Sequence, residues 1–203
     1  MTEVDRAAVV DTALELFTSR GYNSTTLDDI AAANAVQADV VAAAFPNKEA
    51  FILVVVDEMF TAIFDELEKA PEAADLVEAI RAAHQSAVEK IIAGEGPVSL
   101  IQMHRMGRVI ASNPSVAQAV SAHRKQVIGR GLADRRGVDP DDPQIKKAVT
   151  VWSAIMASTH AAAAHDNDEP DSFATEFTSH RLNRTVQLIR GNASRTTAPP
   201  PER

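Results

Sequence analysis

Cysteine is absent from the 203-residue chain, so disulfide bonds and thiolate metal sites are excluded. Aromatic residues make up only 4 % of the chain and glycine is sparse, whereas alanine supplies much of the 45 % hydrophobic fraction. Because alanine costs least to place in a helix, this composition favours helices over sheets. The chain also lacks a signal-peptide pattern and any apolar run long enough to cross a bilayer. We therefore expect a cytoplasmic protein with no membrane partner.

Positive charge is scarce, most of all near the N-terminus. The whole chain has a formal net charge of −8. Residues 1–50 contain three basic and eight acidic residues, so the formal charge of this segment is −5. This balance argues against broad electrostatic attraction to nucleic acid, because phosphate neutralisation supplies most non-specific affinity for DNA.

Apolar residues recur at helical spacing almost everywhere, which predicts an all-α fold of about nine helices. A first helix ends at Gly21, a capping box from Thr26 to Asp29 opens a second, and a third covers about 37–44. Six longer helices follow, the last two over about 144–165 and 171–190. We predict a three-helix domain over 1–46, a larger helical domain over 47–191 and a disordered polar tail over 192–203.

The segment from Val10 to Phe51 carries a specific pattern that runs without a gap. Its members are Ala13, Leu16, Phe17, Gly21, Thr25, Thr26, Ile30, Ala31, Val36, Phe45, Lys48 and Glu49. In these residues the chain resembles the DNA-binding domain of the tetracycline-repressor (TetR) family. The resemblance implies an N-terminal helix-turn-helix domain, and a C-terminal helical domain that binds a small effector and forms a homodimer.

The resemblance also implies which residues contact operator DNA. Thr25 and Thr26 place hydroxyls and free backbone N–H groups at a helix N-terminus, where a phosphate can bind. Lys48 resembles the phosphate-contacting lysine of the family. The recognition helix would present its own set to the bases: Gln37, Ala38, Val40 and Val41.

This recognition helix departs from the family pattern. Val40 and Ala42 stand where the family has a threonine and a tyrosine, and Asp39 replaces a glycine. Only Gln37 could pair well with a base edge, since alanine and valine can at most touch thymine methyl groups. Three interpretations stay open: weak DNA binding, binding through other contacts, or loss of DNA binding.

The larger domain contains bulky, adaptable side chains that suit a pocket for an apolar effector. The candidates are Met59, Phe60, Phe64, Met103, Met106, Trp152 and Met156, with Trp152 and Met103 preferred. For each of them alone, a place in an ordinary hydrophobic core is the simpler explanation. Apolar stripes on the last two helices predict the dimer interface: Val149, Ile155, Phe177, Leu182, Val186 and Ile189.

Arginines make the sixth and seventh helices locally basic, among them Arg105, Arg124 and Arg135. A solvated helix face is the preferred explanation. The alternative is that they hold the head group of an acidic effector, as an acyl-coenzyme A would present.

The sequence offers no chemistry beyond binding. None of the six histidines are paired at the i, i+4 spacing of a helical metal site, so we predict neither metal nor other cofactor. No nucleophile elbow, phosphate loop or dinucleotide fingerprint is present, so an enzyme is not expected. The preferred hypothesis is a ligand-responsive transcriptional regulator, a repressor that a small apolar effector releases from DNA. The alternative is a TetR-fold ligand-binding or protein-interaction module that has lost sequence-specific DNA binding.

Overall fold

The computed structural model describes residues 5–163, and their side chains as far as Met156. Within that range every regular element is helical, which confirms the predicted all-α fold. The elements are α1 (Arg6–Leu16), a π-helical turn (Phe17–Gly21), α2 (Leu27–Ala33), α3 (Ala38–Ala44), α4 (Glu49–Leu67), α5 (Leu76–Ile92), α6 (Leu100–Ser112), α7 (Pro114–Arg136) and α8 (Pro143–Ala163). The predicted ninth helix and tail lie outside the described residues.

Local signals in the sequence set the helix ends. The predicted capping box is confirmed: the Asp29 N–H donates to the Thr26 hydroxyl, and the Thr26 N–H donates to the Asp29 carboxylate. Ser99 and Gln102 form a second capping box at the start of α6. The first helix departs from a simple glycine cap, because its last turn widens into the π-helical turn before Gly21 ends it at a φ of +95°.

Helix α4 lies at the centre of the fold, in contact with α1, α5, α6 and α7. At its N-terminal end Phe51 stacks on Phe45, with ring centroids 4.1 Å apart, and meets the edge of Phe17. At its C-terminal end the carbonyls of Leu67 and Ala70 accept hydrogen bonds from Arg135 of α7. One helix is therefore anchored at both ends, in the small N-terminal helices and in the larger bundle.

Helix α6 makes a second connection between the two parts. Gln102 donates to the Asp11 carboxylate at 2.6 Å, and Arg105 pairs with Glu15 at 3.3 Å. Both acidic partners lie on α1. Because these polar contacts are largely exposed, each contributes little to stability. Helix α6 also packs against α1 and the π-helical turn, so the junction rests on α6 as well as on α4.

A glycine permits close packing of α4 on α7. A Cβ placed on Gly131 would lie 2.3 Å from the ring of Phe64, whereas one on Gly129 would lie 3.8 Å from Val149, an ordinary contact. Phe64 therefore uses the space that the missing side chain leaves.

We predict that Gly131→Ala and Gly129→Ala have opposite effects on stability. In a helix, alanine is favoured over glycine by about 1 kcal/mol, which Gly129→Ala should gain. Gly131→Ala should lose that gain to overpacking, which costs about 1–3 kcal/mol. Urea unfolding measures the difference in free energy of unfolding between the two variants. That difference should vanish when Phe64→Ala is added to each. Equal stabilities in the presence of Phe64 would contradict this packing.

Candidate DNA-binding face and ligand cavity

Helix α3 presents an exposed face at the position expected of a recognition helix. Gln37 is its N-cap residue, and Gln37, Ala38, Asp39 and Val40 are all exposed. Val41 is not: it is 0 % exposed and belongs to the core. The prediction that Val41 contacts DNA is therefore wrong, because its place in the helical period turns it toward the neighbouring helices.

The prediction for Thr25 is also wrong. Thr25 is 1 % exposed, and its hydroxyl donates to the carbonyls of Leu16 and Gly21. These carbonyls flank the π-helical turn, where the regular helical hydrogen-bond pattern is interrupted. The buried hydroxyl thus stabilises that turn and cannot reach a phosphate.

Thr26 lies at the N-terminus of α2 and is exposed, but its hydroxyl is already used. It donates to the Asp29 carboxylate at 2.6 Å and accepts from the Asp29 N–H at 3.1 Å. The hydrogen bonds from Thr26 lower the pKa of Asp29, so this carboxylate stays ionised at neutral pH. A phosphate approaching this helix end would therefore meet a negative charge.

Lys48 connects separate segments of the N-terminal part. Its Nζ donates to the carbonyl oxygens of Tyr22 at 2.6 Å and Thr25 at 3.0 Å, and lies 4.5 Å from the centre of the Tyr22 ring. The ammonium group thus holds the start of α4 against the turn that precedes α2. We infer that this role is primarily structural, with at most one N–H left to direct at a phosphate.

The other basic residues of the N-terminal part are Arg6 and Arg20, both exposed. The Arg6 guanidinium lies over the Phe45 ring, 4.8 Å from its centre. Of the three cations, two are therefore engaged by the protein itself. Both keep their positive charge, but their direct contact with DNA phosphates is restricted.

A cavity of about 200 Å³ lies within the larger bundle. It is bounded by α4, α5, α6, α7 and α8, and its lining is largely apolar. Four of the predicted ligand-binding residues are among the side chains that line it: Met59, Phe60, Trp152 and Met156. The structure thus brings together residues that are almost a hundred positions apart in the sequence.

Three other candidates do not line this cavity. Met103 and Met106 are buried in the core on α6, at its end nearer α1, and only Ile110, further along the same helix, reaches the cavity. Phe64 lies instead over Gly131. Their role in ligand binding stays a prediction, because helical periodicity identifies the buried face of a helix but not which part of that face borders an empty space.

Four polar residues also line the cavity: His84, Ser121, Arg124 and Ser153. Of these, only Arg124 was a candidate from the sequence, as part of the alternative explanation of the basic helices. His84 is 4 % exposed, and its ring meets Trp152 edge-on at 5.4 Å. Burial lowers the pKa of Arg124 to about 10, so its side chain is still charged at neutral pH. The sequence carried a sign of this position, since Arg124 lies four residues from both Val120 and Ile128 on one apolar stripe.

The remaining arginines of the basic region have different surroundings. Arg105 pairs with Glu15. Arg135 donates to the carbonyls of Leu67, the last residue of α4, and Ala70, and Arg136 donates to the carbonyl of Ala74. The preferred expectation of a uniformly solvated face is therefore wrong for Arg124, Arg135 and Arg136.

The predicted dimer interface is only partly within the described residues. Val149 is half-buried, facing α7. Ile155 is 1 % exposed within a single chain, so it packs in the protomer's own core and its assignment to the interface is wrong. The other predicted residues lie beyond the described part: Phe177, Leu182, Val186 and Ile189.

Residues 5–163 contain neither a membrane-spanning helix nor a metal-binding group. Among the helices in that range, none combines the length and hydropathy that a membrane span requires. No three histidine or acidic side chains there come together as a possible metal-binding group.

The position of Lys48 leads to a prediction about stability. Lys48→Met should lower the free energy of unfolding by about 1.5–3 kcal/mol, because charged hydrogen bonds to two carbonyls are lost. Arg20→Met removes the same charge from an exposed position and should change it by less than about 0.5 kcal/mol. Equal unfolding midpoints for Lys48→Met and the unaltered protein would show that Lys48 has no structural role.

Comparison with known proteins identifies the N-terminal part first. Residues 9–55 match the family model described as bacterial regulatory proteins, tetR family. The matched segment contains α2, α3 and the start of α4. It therefore includes the whole face discussed above.

Similarity extends over the rest of the chain. The chain is 28 % identical over 156 residues to the HTH-type transcriptional regulator TcmR of Streptomyces glaucescens, covering 74 % of this chain and 69 % of that protein. It shares its fold with FadR of Thermus thermophilus, solved with lauroyl-CoA: the TM-score is 0.55 and the identity 20 %, over 98 % of this chain and 100 % of the other.

A second structural neighbour is SmeT, the repressor of the Stenotrophomonas maltophilia multidrug efflux pump SmeDEF. The TM-score is 0.56 and the identity 19 %, with 92 % of this chain and 91 % of that one covered. Together with the helix-turn-helix geometry, these similarities lead to one conclusion: residues 9–55 match the DNA-binding domain of the TetR family, and the chain as a whole shares the fold of FadR, a regulator of that family.

Proposed function

We propose that the protein is a ligand-responsive repressor that binds operator DNA as a homodimer and is released by a small effector in the cavity. The proposal divides the chain into a DNA-binding domain (1–46), an effector-binding and dimerisation domain (47–191) and a tail (192–203). It names the cytoplasm as the site of action and assigns no catalytic step.

The observation that carries this proposal is the double role of α4. Its first turns pack with Phe45 and Phe17 beside the recognition helix, and later residues, Val56 to Ile63, line the cavity. An effector that pushes α4 aside must therefore also move the packing surface of α3. Since dimer half-sites lie about one helical turn of DNA apart, a shift of a few ångströms would break the register.

Two exposed elements support DNA contact in the proposed complex. Gln37 begins α3 and could read one base edge, while Ala38 and Val40 could touch thymine methyl groups. The exposed N-terminus of α3 would supply backbone N–H groups to a phosphate, whereas the capping box at α2 already uses the Asp29 N–H and places a carboxylate there. Thr26 and Lys48 would contribute only the hydrogen-bonding capacity that their internal contacts leave.

The proposed homodimer would use Val149 together with the apolar stripe Phe177, Leu182, Val186 and Ile189. Support comes from the sequence pattern and from the half-buried position of Val149. Sedimentation of the purified protein at micromolar concentration tests it, and a monomer at that concentration would contradict it.

A second candidate function is a ligand-binding protein of the same fold that does not contact DNA. The exposed carboxylate of Asp39 on the recognition helix favours it, as does the engagement of Lys48 by two carbonyls. Selection of genomic fragments with purified protein, at low and at physiological salt, separates the two functions. Enrichment of a palindrome supports the repressor, and no enrichment at either salt concentration supports the second function.

For the repressor we predict unusually weak salt dependence. Each neutralised phosphate contributes about 0.9 to the slope of log affinity against log salt. With Lys48 engaged internally, two to four cations per dimer would give a slope between about −2 and −4. Titration of the selected operator over a range of salt concentrations measures it, and a slope steeper than about −6 would mean that another basic surface contacts the DNA.

Asp39 gives a matched test of the same face. Asp39→Asn should tighten operator binding by about 5-fold per half-site, because it removes a like charge beside the phosphates. Glu72→Gln removes the same charge from the exposed segment between α4 and α5 and should leave affinity unchanged. Identical affinities for the two variants would place α3 away from the DNA backbone.

A further inference from the structure

The charge pattern of the cavity points to one class of effector. Fourteen described residues line it, and most are aliphatic, aromatic or methionine. Arg124 is the one formally charged residue among these fourteen. Arg124 lies on α7, on the same stripe as Val120 and Ile128, which also face the cavity.

The position of Arg124 makes this charge effective. Its side chain is surrounded by protein on most sides while still bordering the cavity, and the loss of hydration lowers its pKa to about 10. A guanidinium keeps its proton there at neutral pH. Because screening by water is weak at such a place, an anion that enters the cavity gains more from the charge than it would at the surface.

The size of the cavity limits the rest of the ligand. An apolar cavity of about 150 Å³ can hold benzene, and this one, at about 200 Å³, is only modestly larger. A body of one ring with a short substituent, or a short alkyl chain, fits that volume. A coenzyme A moiety does not, so an acyl-coenzyme A would have to leave most of its atoms outside.

We propose that the cavity binds a compact, apolar carboxylic acid, with the carboxylate on Arg124 and the apolar body against Trp152, Met59 and Phe60. Planar guanidinium and carboxylate groups can form two parallel hydrogen bonds, which fixes the orientation of the acid. The inference rests on the proposed function of the cavity as the effector site, and adds the chemical class of the effector.

Paired probes of equal shape test this class. The pairs are octanoic acid with octanamide, and 4-butylbenzoic acid with 4-butylbenzamide. Trp152 is the only tryptophan in the chain and lines the cavity, so its fluorescence reports occupancy, and isothermal titration calorimetry gives a second measure. In the unaltered protein at pH 7 we expect at least one acid to bind about 10- to 100-fold more tightly than its amide.

Variants of Arg124 assign the preference to that residue. Arg124→Met should reduce the ratio of acid to amide affinity to about one while leaving amide binding in place. Arg124→Lys should keep part of the preference, because it keeps the charge but not the planar fork. Lys125→Met is the matched control, since it removes a positive charge from the next, exposed residue of α7 and should leave the ratio unchanged.

Each outcome bears on a separate claim. Equal affinity of acid and amide in the unaltered protein would overturn the proposed class, and so would binding of the amides alone. An acid preference that survives Arg124→Met would overturn the role of Arg124. If no probe binds below 1 mM, both the inference and the cavity's role as effector site fail. If an acid binds through Arg124 but leaves operator affinity unchanged, the inference holds and the proposed release mechanism fails.

Discussion

The rest of the structure depends on the packing of a single helix, α4, whose buried side chains belong to one hydrophobic core that runs from the N-terminal helices into the larger bundle. The stacked pair Phe45 and Phe51 lies at the start of α4, and the residues that line the cavity, Val56 to Ile63, follow within about 18 Å along the helix. Close-packed interiors are stiff and transmit displacement rather than absorb it. The cavity and the recognition helix therefore share one mechanical element. Helix α6, which packs against α1 and the π-helical turn and reaches the cavity through Ile110, is a second connection.

The N-terminal domain uses its polar groups largely for its own stability. Thr25 satisfies carbonyls beside the π-helical turn, Thr26 caps α2, and Lys48 ties the start of α4 to the Tyr22 and Thr25 carbonyls. These bonds satisfy backbone groups at the turns and helix ends, while the buried side chains of the same helices belong to the continuous core shared with the larger bundle. The consequence for function is a DNA-binding face with little positive charge.

Much of the fold could be predicted from the sequence because its determinants are local. Periodicity located the helices, and Thr26, Asp29 and Gly21 marked ends that the structure reproduces, apart from the π-helical turn. The match of the N-terminal part to the TetR family was predictable from the spacing of residues between Val10 and Phe51. The ninth helix remains a prediction.

The sites were harder to predict because they depend on how helices cross. The sequence identified Trp152, Met59 and Met103 alike as bulky residues on inward faces. Trp152 and Met59 line the cavity, whereas Met103 is buried near the start of α6, away from the part of that helix that reaches the cavity. The sequence also predicts DNA contacts for Val41 and Thr25, although packing buries both. Arg124 shows the reverse error, since its place in a basic stretch favours a solvated position and only its spacing from Val120 and Ile128 indicates that it faces the cavity.

The central claim is that occupancy of the cavity and the state of the N-terminal helices are linked through α4. Amide hydrogen exchange tests it without assuming a dimer or an operator, using whichever probe quenches Trp152 at saturation. The account predicts that exchange changes in the cavity helices α5, α7 and α8, along α4, and in residues 5–45 as well. Changes confined to the cavity helices, with α1 to α3 unaffected at full occupancy, would contradict it.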